Sequence, residues 1–202
     1  MDNKTHWESV YRRTALDRVS WYQADPEPSL RLIRRAIPVD AALIDVGGGA
    51  SMLPDSLLSV GYHRITVLDL SSAALAAART RLGGRAARVT WVEGDVLETT
   101  FPAGEFDLWH DRAVFHFLTD APDRLRYVDQ LRRALAPDGH VVIATFAPDG
   151  PTHCSGLEVA RYSPEELHAE LGPEFRIVSS LRHEHHTPRG QTQAFTYCLF
   201  RR

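Results

Sequence analysis

The hydrophobic positions of this chain fall into a repeated alternation of short runs and longer stripes. "ALIDV" (42–46) is an apolar run of strand length, and "SMLPDSLLSVGY" (51–62) reads as a helix with Pro54 in its first turn. "RITVLDL" (64–70) is a second strand, followed by "SSAALAAARTRL" (71–82), a helix with Ser71 or Ser72 as its N-cap. "RVTWVEGD" (88–95) and "FDLWHDRAV" (106–114) are a third and a fourth strand. A helix over 120–135, capped by Asp120 or Asp123, leads through a turn into a fifth strand over 136–146. Strands alternating with helices predict an α/β fold with a mainly parallel sheet covered on both faces.

Both ends of the chain break that rhythm. "FRIVSSLRHEHHTP" and "QTQAFTYCLFRR" read as two strands joined by a turn containing Gly190, so the last strand should run against the rest. Residues 147–162 are the longest irregular stretch. At the start, residues 1–25 are polar but carry Trp7, Tyr11, Trp21 and Tyr22. Trp7 and Tyr11, four apart, share a helix face. Pro26 and Pro28 suit the start of a second helix, striped by Leu30, Ile33 and Ile37. The aromatics are core packing of the first helix or a lid, and their place outside the sheet pattern favours a lid over 1–38 on a core of 39–202.

Composition narrows the setting. A chain of 202 residues is one domain by length, and 44% apolar with 24% charged residues is ordinary for a globular protein. The net charge of −3 leaves no basic footprint, so no nucleic-acid partner is expected. Lys4 is the only lysine, and the abundance of arginine and alanine fits the codon bias of a GC-rich genome. Cys154 and Cys198 form no disulfide framework. No signal-peptide core and no run long enough for a bilayer is visible, so a cytoplasmic protein with no membrane partner is expected, as a monomer or a homodimer.

The candidate chemistry lies at the carboxyl ends of the strands, where open parallel sheets bind ligands. Asp45, Asp69, Asp95 and Asp111 close the first four strands. Gly47, Gly48 and Gly49 follow Asp45 and let the backbone turn sharply and approach a ligand. Asp69 lies twenty residues past Gly49, where an acid reaches the hydroxyls of a ribose. Asp95, after Gly94, is placed to receive the exocyclic amine of an adenine. The third glycine of a dinucleotide motif is missing, as is a phosphate-loop lysine, so S-adenosylmethionine fits better than NAD or ATP.

Taken in order, "LIDVGGGAS", "VLDLS", "VEGDV", "FDLWHDRAVFHFL", "LAPDGHVVIATF" and the closing hairpin resemble the motifs of class I S-adenosylmethionine-dependent methyltransferases, from about residue 40 to the end. "HWESVYRR" and "VSWYQ" resemble the N-terminal segment of small bacterial methyltransferases and of some protein-lysine methyltransferases, where it folds over the cofactor. The resemblance implies a Rossmann-like three-layer sandwich on a seven-stranded sheet, S-adenosylmethionine as cofactor and S-adenosylhomocysteine as product. It implies that Asp45, Gly47, Gly49 and Ser51 hold the methionine end, and that Asp69 takes the ribose. It sets Leu70, Asp95 and Val96 around the adenine and Asp111 and Arg112 beside cofactor and substrate, with Trp7, Tyr11 and Trp21 as the lid. Gly48, often cysteine or serine in the family, should accept alanine.

Methyl transfer from a sulfonium needs positioning and exclusion of water, and a base only where the acceptor arrives protonated. His116 is the candidate base, against the alternative of a plain loop residue, and Asp111 would orient it or a substrate amine. His110 should point away from Asp111 and be structural. The chain has "HDRAVF" in place of the N/D-P-P-Y of DNA and glutamine N-methyltransferases, which disfavours those acceptors. Cys154 suggests a soft metal or metalloid but is better read as a loop thiol. His183 and His185 are expected on an exposed polar face, and no metal is expected. The expected acceptor is a small molecule, with a protein lysine as the alternative. An NAD-dependent oxidoreductase, which would lack the closing hairpin, and a noncatalytic binding module are the competing classes.

Overall fold

The structure is a computed structural model that describes residues 3–202. The lid expected over 1–38 therefore includes two residues, Met1 and Asp2, outside the described range. Helix α1 (Asn3–Arg13) is followed by a 3₁₀ turn and by α2 (Glu27–Ala36), which has Pro28 in its first turn. The alternating part runs β1 (Ala42–Val46), α3 (Leu53–Ser59), β2 (Arg64–Asp69), α4 (Ser72–Leu82), β3 (Val89–Glu93), β4 (Phe106–Arg112), α5 (Ala121–Ala134) and β5 (Leu135–Phe146). A two-stranded ribbon, β6 (His153–Cys154) and β7 (Leu157–Glu158), precedes α6 (Pro164–Leu171) and the closing strands β8 (Arg176–His186) and β9 (Thr192–Arg201).

The seven-stranded sheet has the order β3-β2-β1-β4-β5-β9-β8. The first five are parallel, and β9 runs antiparallel to both β5 and β8. Period two along the strands splits the core between the two faces. Leu43, Val67 and Leu108 pack with Ile33, Leu57 and Leu75 on one side, and Ile44, Val46 and Trp109 pack with Tyr127, Leu131 and Leu167 on the other. The chain switches direction between β1 and β4, where Asp45 pairs with His110 and Val46 with Asp111. That switch point is where a ligand crevice opens in a sheet of this kind.

Three local features differ from the pattern reading. Helix α6 has no counterpart in it, although Ser163 and Glu166 form a reciprocal capping box that the sequence "SPEE" spells out. The ribbon of β6 and β7 lies inside the irregular stretch 147–162. Asp120 stands at the N-cap of α5 without a side-chain hydrogen bond to it, whereas Ser71 caps α4 by accepting from the Ala74 amide at 3.1 Å, a contact worth about 1 kcal/mol.

Helix α1 buries no residue of its own and is fastened by polar contacts and rings. One Glu8 oxygen accepts from the Ser72 hydroxyl (3.0 Å) and the Ala73 amide (3.2 Å), an acid at the positive end of α4. Lys4 pairs with Glu93 at 2.6 Å. Among the described residues no helix is long and apolar enough to cross a membrane, and no group of three His, Cys, Asp or Glu side chains is set to hold a metal ion.

Candidate cofactor and active site

The turn after β1 is drawn back against the end of β2. The amides of Gly47 and Gly48 both donate to the Leu68 carbonyl, at 2.7 and 3.2 Å. Gly47 and Gly49 have φ of +64° and +46°, a region that side chains disfavour. A Cβ on Gly47 would fall 2.0 Å from a Val114 methyl. The expectation that Gly48 accepts alanine fails on space: its Cβ would lie 2.5 Å from Asp45 Oδ2 and 2.8 Å from Val67 Cγ1, inside the sheet. Arg81 of α4 clamps the far side of the turn, donating to the Ala50 and Ser51 carbonyls (2.8 and 2.6 Å) and pairing with Asp55 (2.7 Å). Ser51 accepts from the Leu53 amide at 3.0 Å and starts α3.

The acids that close the next two strands face a common space. Asp69 accepts from the Ser71 amide at 2.8 Å and is 8% exposed. Burial pushes its carboxyl up to about 7, with help from the Asp45 and Glu8 charges and against the amides of Ser71 and Gly49. Asp95 accepts from the Leu97 amide at 2.8 Å. Both acids border a cavity of about 340 Å³, of a size for a nucleoside-like ligand. Gly47, Leu70, Gly94, Val96, Arg112, Trp7, Tyr11 and Trp21 border it too. Phe117, Leu118, Thr119, Cys154, Leu157 and Glu158, from the segments after β4 and around the ribbon, line it as well. Of the cofactor-site residues read from the sequence, Asp45, Gly48 and Ser51 border instead a second cavity of about 50 Å³, which shares Tyr11, Trp21, Gly47 and Arg112 with the larger one. Gly49 borders neither and lies beneath Tyr11.

Rings roof the site. Trp7 meets Trp21 and Phe117 edge to face at 5.7 and 5.1 Å, and Tyr11 meets Trp21 at 6.0 Å. Arg112 holds the roof to the sheet. It donates to the Trp21 carbonyl and the Tyr197 hydroxyl, both at 2.9 Å, and lies 4.7 Å over the Phe195 ring. His185 adds a tie to the same segment, 2.7 Å from the Ser20 carbonyl. His183 is half-buried and His185 is 4% exposed, so the exposed polar face expected of the two fails for His185, while Glu184 and His186 between and beside them are exposed.

Strand β4 separates its two polar residues by period. His110 points toward α2, where its Nδ1 lies 2.7 Å from Asp45 and its Nε2 2.9 Å from the Ser29 hydroxyl. Asp111 points toward α5. It is fully buried and accepts from the Val114 and Phe115 amides (2.8 and 3.0 Å) and the Tyr127 hydroxyl (2.6 Å). It borders neither cavity, so the structure gives it a set of anchoring bonds where the sequence reading set it beside the ligand. His116 is also fully buried, borders neither cavity, and has no hydrogen-bond partner on either ring nitrogen among the described residues. Burial and the nearby Arg112 charge push its imidazole down to about 3, so it is neutral at any working pH. That is a poor position for the base expected from the sequence.

The family model of a methyltransferase domain matches residues 44–143, from the middle of β1 to β5. The chain carries a methyltransferase domain. Its sheet order and antiparallel β9 are those of the class I, S-adenosylmethionine-dependent type. The eEF1A lysine and N-terminal methyltransferase of Danio rerio is 26% identical over 148 residues, which are 71% of this chain and 21% of that protein. The chain thus spans about a fifth of the length of that relative. A solved structure reported for the conversion of a disulfide bond into a thioacetal group during echinomycin biosynthesis superposes with a TM-score of 0.80 and 21% identity, over 100% of this chain and 92% of the other. The 1,6-didemethyltoxoflavin-N1-methyltransferase of Burkholderia thailandensis, solved with its substrate and S-adenosylhomocysteine, superposes with a TM-score of 0.77 and 22% identity, over 98% of this chain and 86% of the other.

Three contributors to the site of this methyltransferase domain were missed in the sequence. Arg81 is one arginine among many, and only the fold sets it against the glycine turn. Ser29 and His110 lie far apart in the chain, and His110 links Ser29 to Asp45. The alternation of β4 already turned His110 away from Asp111, but nothing local to the sequence pointed to its partners.

Proposed function

We propose that this protein transfers a methyl group from S-adenosylmethionine to a small-molecule acceptor. One observation carries the reading. Oδ2 of Asp45 and Nη2 of Arg112 are buried without hydrogen-bond partners among the described residues, and both residues border the small cavity beside the glycine turn. An unpartnered acceptor and an unpartnered donor on residues that line one cavity suit a ligand with an ammonium and a carboxylate at the same end. The methionine end of S-adenosylmethionine has that pair, so the residues present fit the cofactor.

In this reading Gly47, Gly48, Gly49 and Ser51 shape the turn around the methionine end. Asp69 takes the ribose hydroxyls, Asp95 the adenine amine, and Leu70 and Val96 the adenine faces, with Gly94 admitting the ring edge. Trp7, Tyr11 and Trp21 keep water out. When bound, the cofactor supplies a methyl group activated by its sulfonium. The chain's own work is to align the acceptor and dehydrate it. His116, the base expected from the sequence, borders neither cavity, which suits an acceptor that arrives as a neutral nucleophile.

A protein lysine is the second reading, supported by the eEF1A methyltransferase among the relatives and by Asp123 and Glu158, acids that border the larger cavity. Incubation of the protein with labelled S-adenosylmethionine and a lysate split into small-molecule and protein pools tests both. Label in the small-molecule pool is expected. Label in the protein pool alone would transfer the assignment to the second reading, and label in neither would leave a binding module.

A further inference from the structure

We infer that His110 is a positioning residue that aims Asp45 at the amino group of the ligand, and that Ser29 holds His110 in the orientation this requires. The inference rests on the proposed reading of the small cavity as the site of a methionine end.

The three side chains form one hydrogen-bonded line across three elements. Asp45 of β1, His110 of β4 and Ser29 of α2 are 2%, 2% and 1% exposed. His110 Nδ1 lies 2.7 Å from Asp45 Oδ1, and Nε2 lies 2.9 Å from Ser29 Oγ. An ionised carboxylate only accepts, so Nδ1 carries the proton and donates it to Asp45. Nε2 then meets the Ser29 hydroxyl, which as both donor and acceptor closes the second bond in either state of the ring. Each group along the line fixes the next. Ser29 sets the ring, and the ring sets the plane of the carboxylate.

The consequence falls on the other oxygen. With Oδ1 taken by His110, Oδ2 of Asp45 is buried and has no partner among the described residues. It sits against Gly48, where a Cβ would come within 2.5 Å, on the wall of the small cavity. A buried carboxylate oxygen left open is costly unless a donor arrives, and a carboxylate free to rotate would turn it elsewhere. His110 removes that freedom. The line also runs into the N-terminal part of the chain that covers the cavity. Ser29 lies in the first turn of α2, and Pro26, Gln23 and Tyr22 just before that turn border the same space.

A residue that merely pins α2 to the sheet would, when removed, weaken every ligand of the site alike. A residue that acts through Asp45 would weaken only ligands that carry the amino group. Titration calorimetry with S-adenosylhomocysteine and with its analogue lacking the α-amino group separates the two. The unmodified protein should prefer S-adenosylhomocysteine by about 10- to 100-fold, the value of a charge-assisted hydrogen bond. His110→Leu should bring that preference below about threefold while the analogue's own affinity changes less than about twofold. His110→Asn, whose amide can still donate to Asp45, should keep most of it. Should His110→Leu fail to fold, Ser29→Ala tests the same line more gently, with a preference reduced by about threefold. Equal weakening of both ligands in the variants overturns the inference, as does an unmodified protein that binds both ligands equally well. A protein that binds neither ligand overturns instead the reading of the site on which the inference rests.

Discussion

Tyr11 lies so close over Gly49 that a Cβ on the glycine would fall 2.8 Å from the tyrosine hydroxyl and 2.8 Å from Asp69 Oδ2. The helix that covers the site, the turn beneath it and the acid at the end of β2 thus meet within one side chain's reach. Burial, and then the Asp69 charge, push the Tyr11 hydroxyl well above its ordinary range, so it stays protonated as a donor.

This contact predicts how Gly49 variants fail. Gly49→Ala strains a backbone at φ +46°, at about 1–2 kcal/mol, and drives the new methyl into Tyr11 and Asp69. Thermal melts should fall accordingly, and S-adenosylhomocysteine should bind at least tenfold more weakly by calorimetry. Tyr11→Phe removes the oxygen that the methyl strikes, so the loss of affinity from Gly49→Ala should be smaller in that background. An unchanged loss would place the damage in the backbone and at Asp69, not at Tyr11.

Asp69 predicts opposite effects on stability and on binding. Its folded-state value of about 7 lies above the ordinary 3.8, so the folded protein disfavours the charged form. The resulting cost is absent below about pH 4, grows between pH 4 and 7, and is complete above pH 7. Asp69→Asn should therefore raise the melting temperature of the ligand-free protein at pH 8, by roughly 1–3 kcal/mol in stability, with the gain gone by pH 4. Ribose hydroxyls donate best to the ionised acid, so S-adenosylhomocysteine affinity should fall as pH drops through about 7. The same titration on Asp69→Asn should be flatter and weaker throughout.

Asp111 predicts a loss of stability without a matching loss of binding. Burial raises its carboxyl to about 6 even though Tyr127 and the Val114 and Phe115 amides donate to it. Asp111→Ala leaves two amides and a buried hydroxyl without their acceptor, at about 1–3 kcal/mol for each group left unsatisfied. Chemical denaturation should report a large drop. The affinity of the protein that remains folded for S-adenosylhomocysteine should stay within about threefold of the original. A stable variant that has lost its turnover would return Asp111 to the chemistry.

The sequence carried the sheet further than it carried the site. The helices that follow β1, β2 and β4, the glycines after Asp45 and the acids at strand ends are all local patterns, and each is present in the fold. The opposed directions of His110 and Asp111 also followed from a period of two. What stayed hidden depends on depth and on distant partners. Asp111 and His116 follow one another closely in the chain and have the chemistry of a base and its orienter. Only the packing of Phe117 and Phe146 on the His116 ring, and the bonds from Val114, Phe115 and Tyr127 to Asp111, reveal that both side chains are buried and border neither cavity. Arg81 and Ser29 act across 30 and 81 residues of sequence on Ser51 and His110 at the turn and strand they serve, within a hydrogen bond's length in each case.

His116 gives the sharpest separation between the reading of the sequence and that of the structure. Its ring meets Phe117 at 4.5 Å and Phe146 at 4.9 Å, so its neighbours are those of a core aromatic. Both nitrogens are buried without partners among the described residues, a desolvation cost that an apolar ring does not carry. Its value of about 3 lies below the ordinary 6.5, and the proton is absent across the working range, so no pH step in turnover between 5 and 8 should come from it. His116→Phe keeps the ring contacts and removes the two unsatisfied nitrogens. Its melting temperature should equal or exceed that of the unmodified protein, with turnover within about twofold and the same pH profile. Loss of turnover in a variant that still melts normally and binds S-adenosylhomocysteine normally would mean that the ring leaves its pocket during the reaction and serves as the base after all.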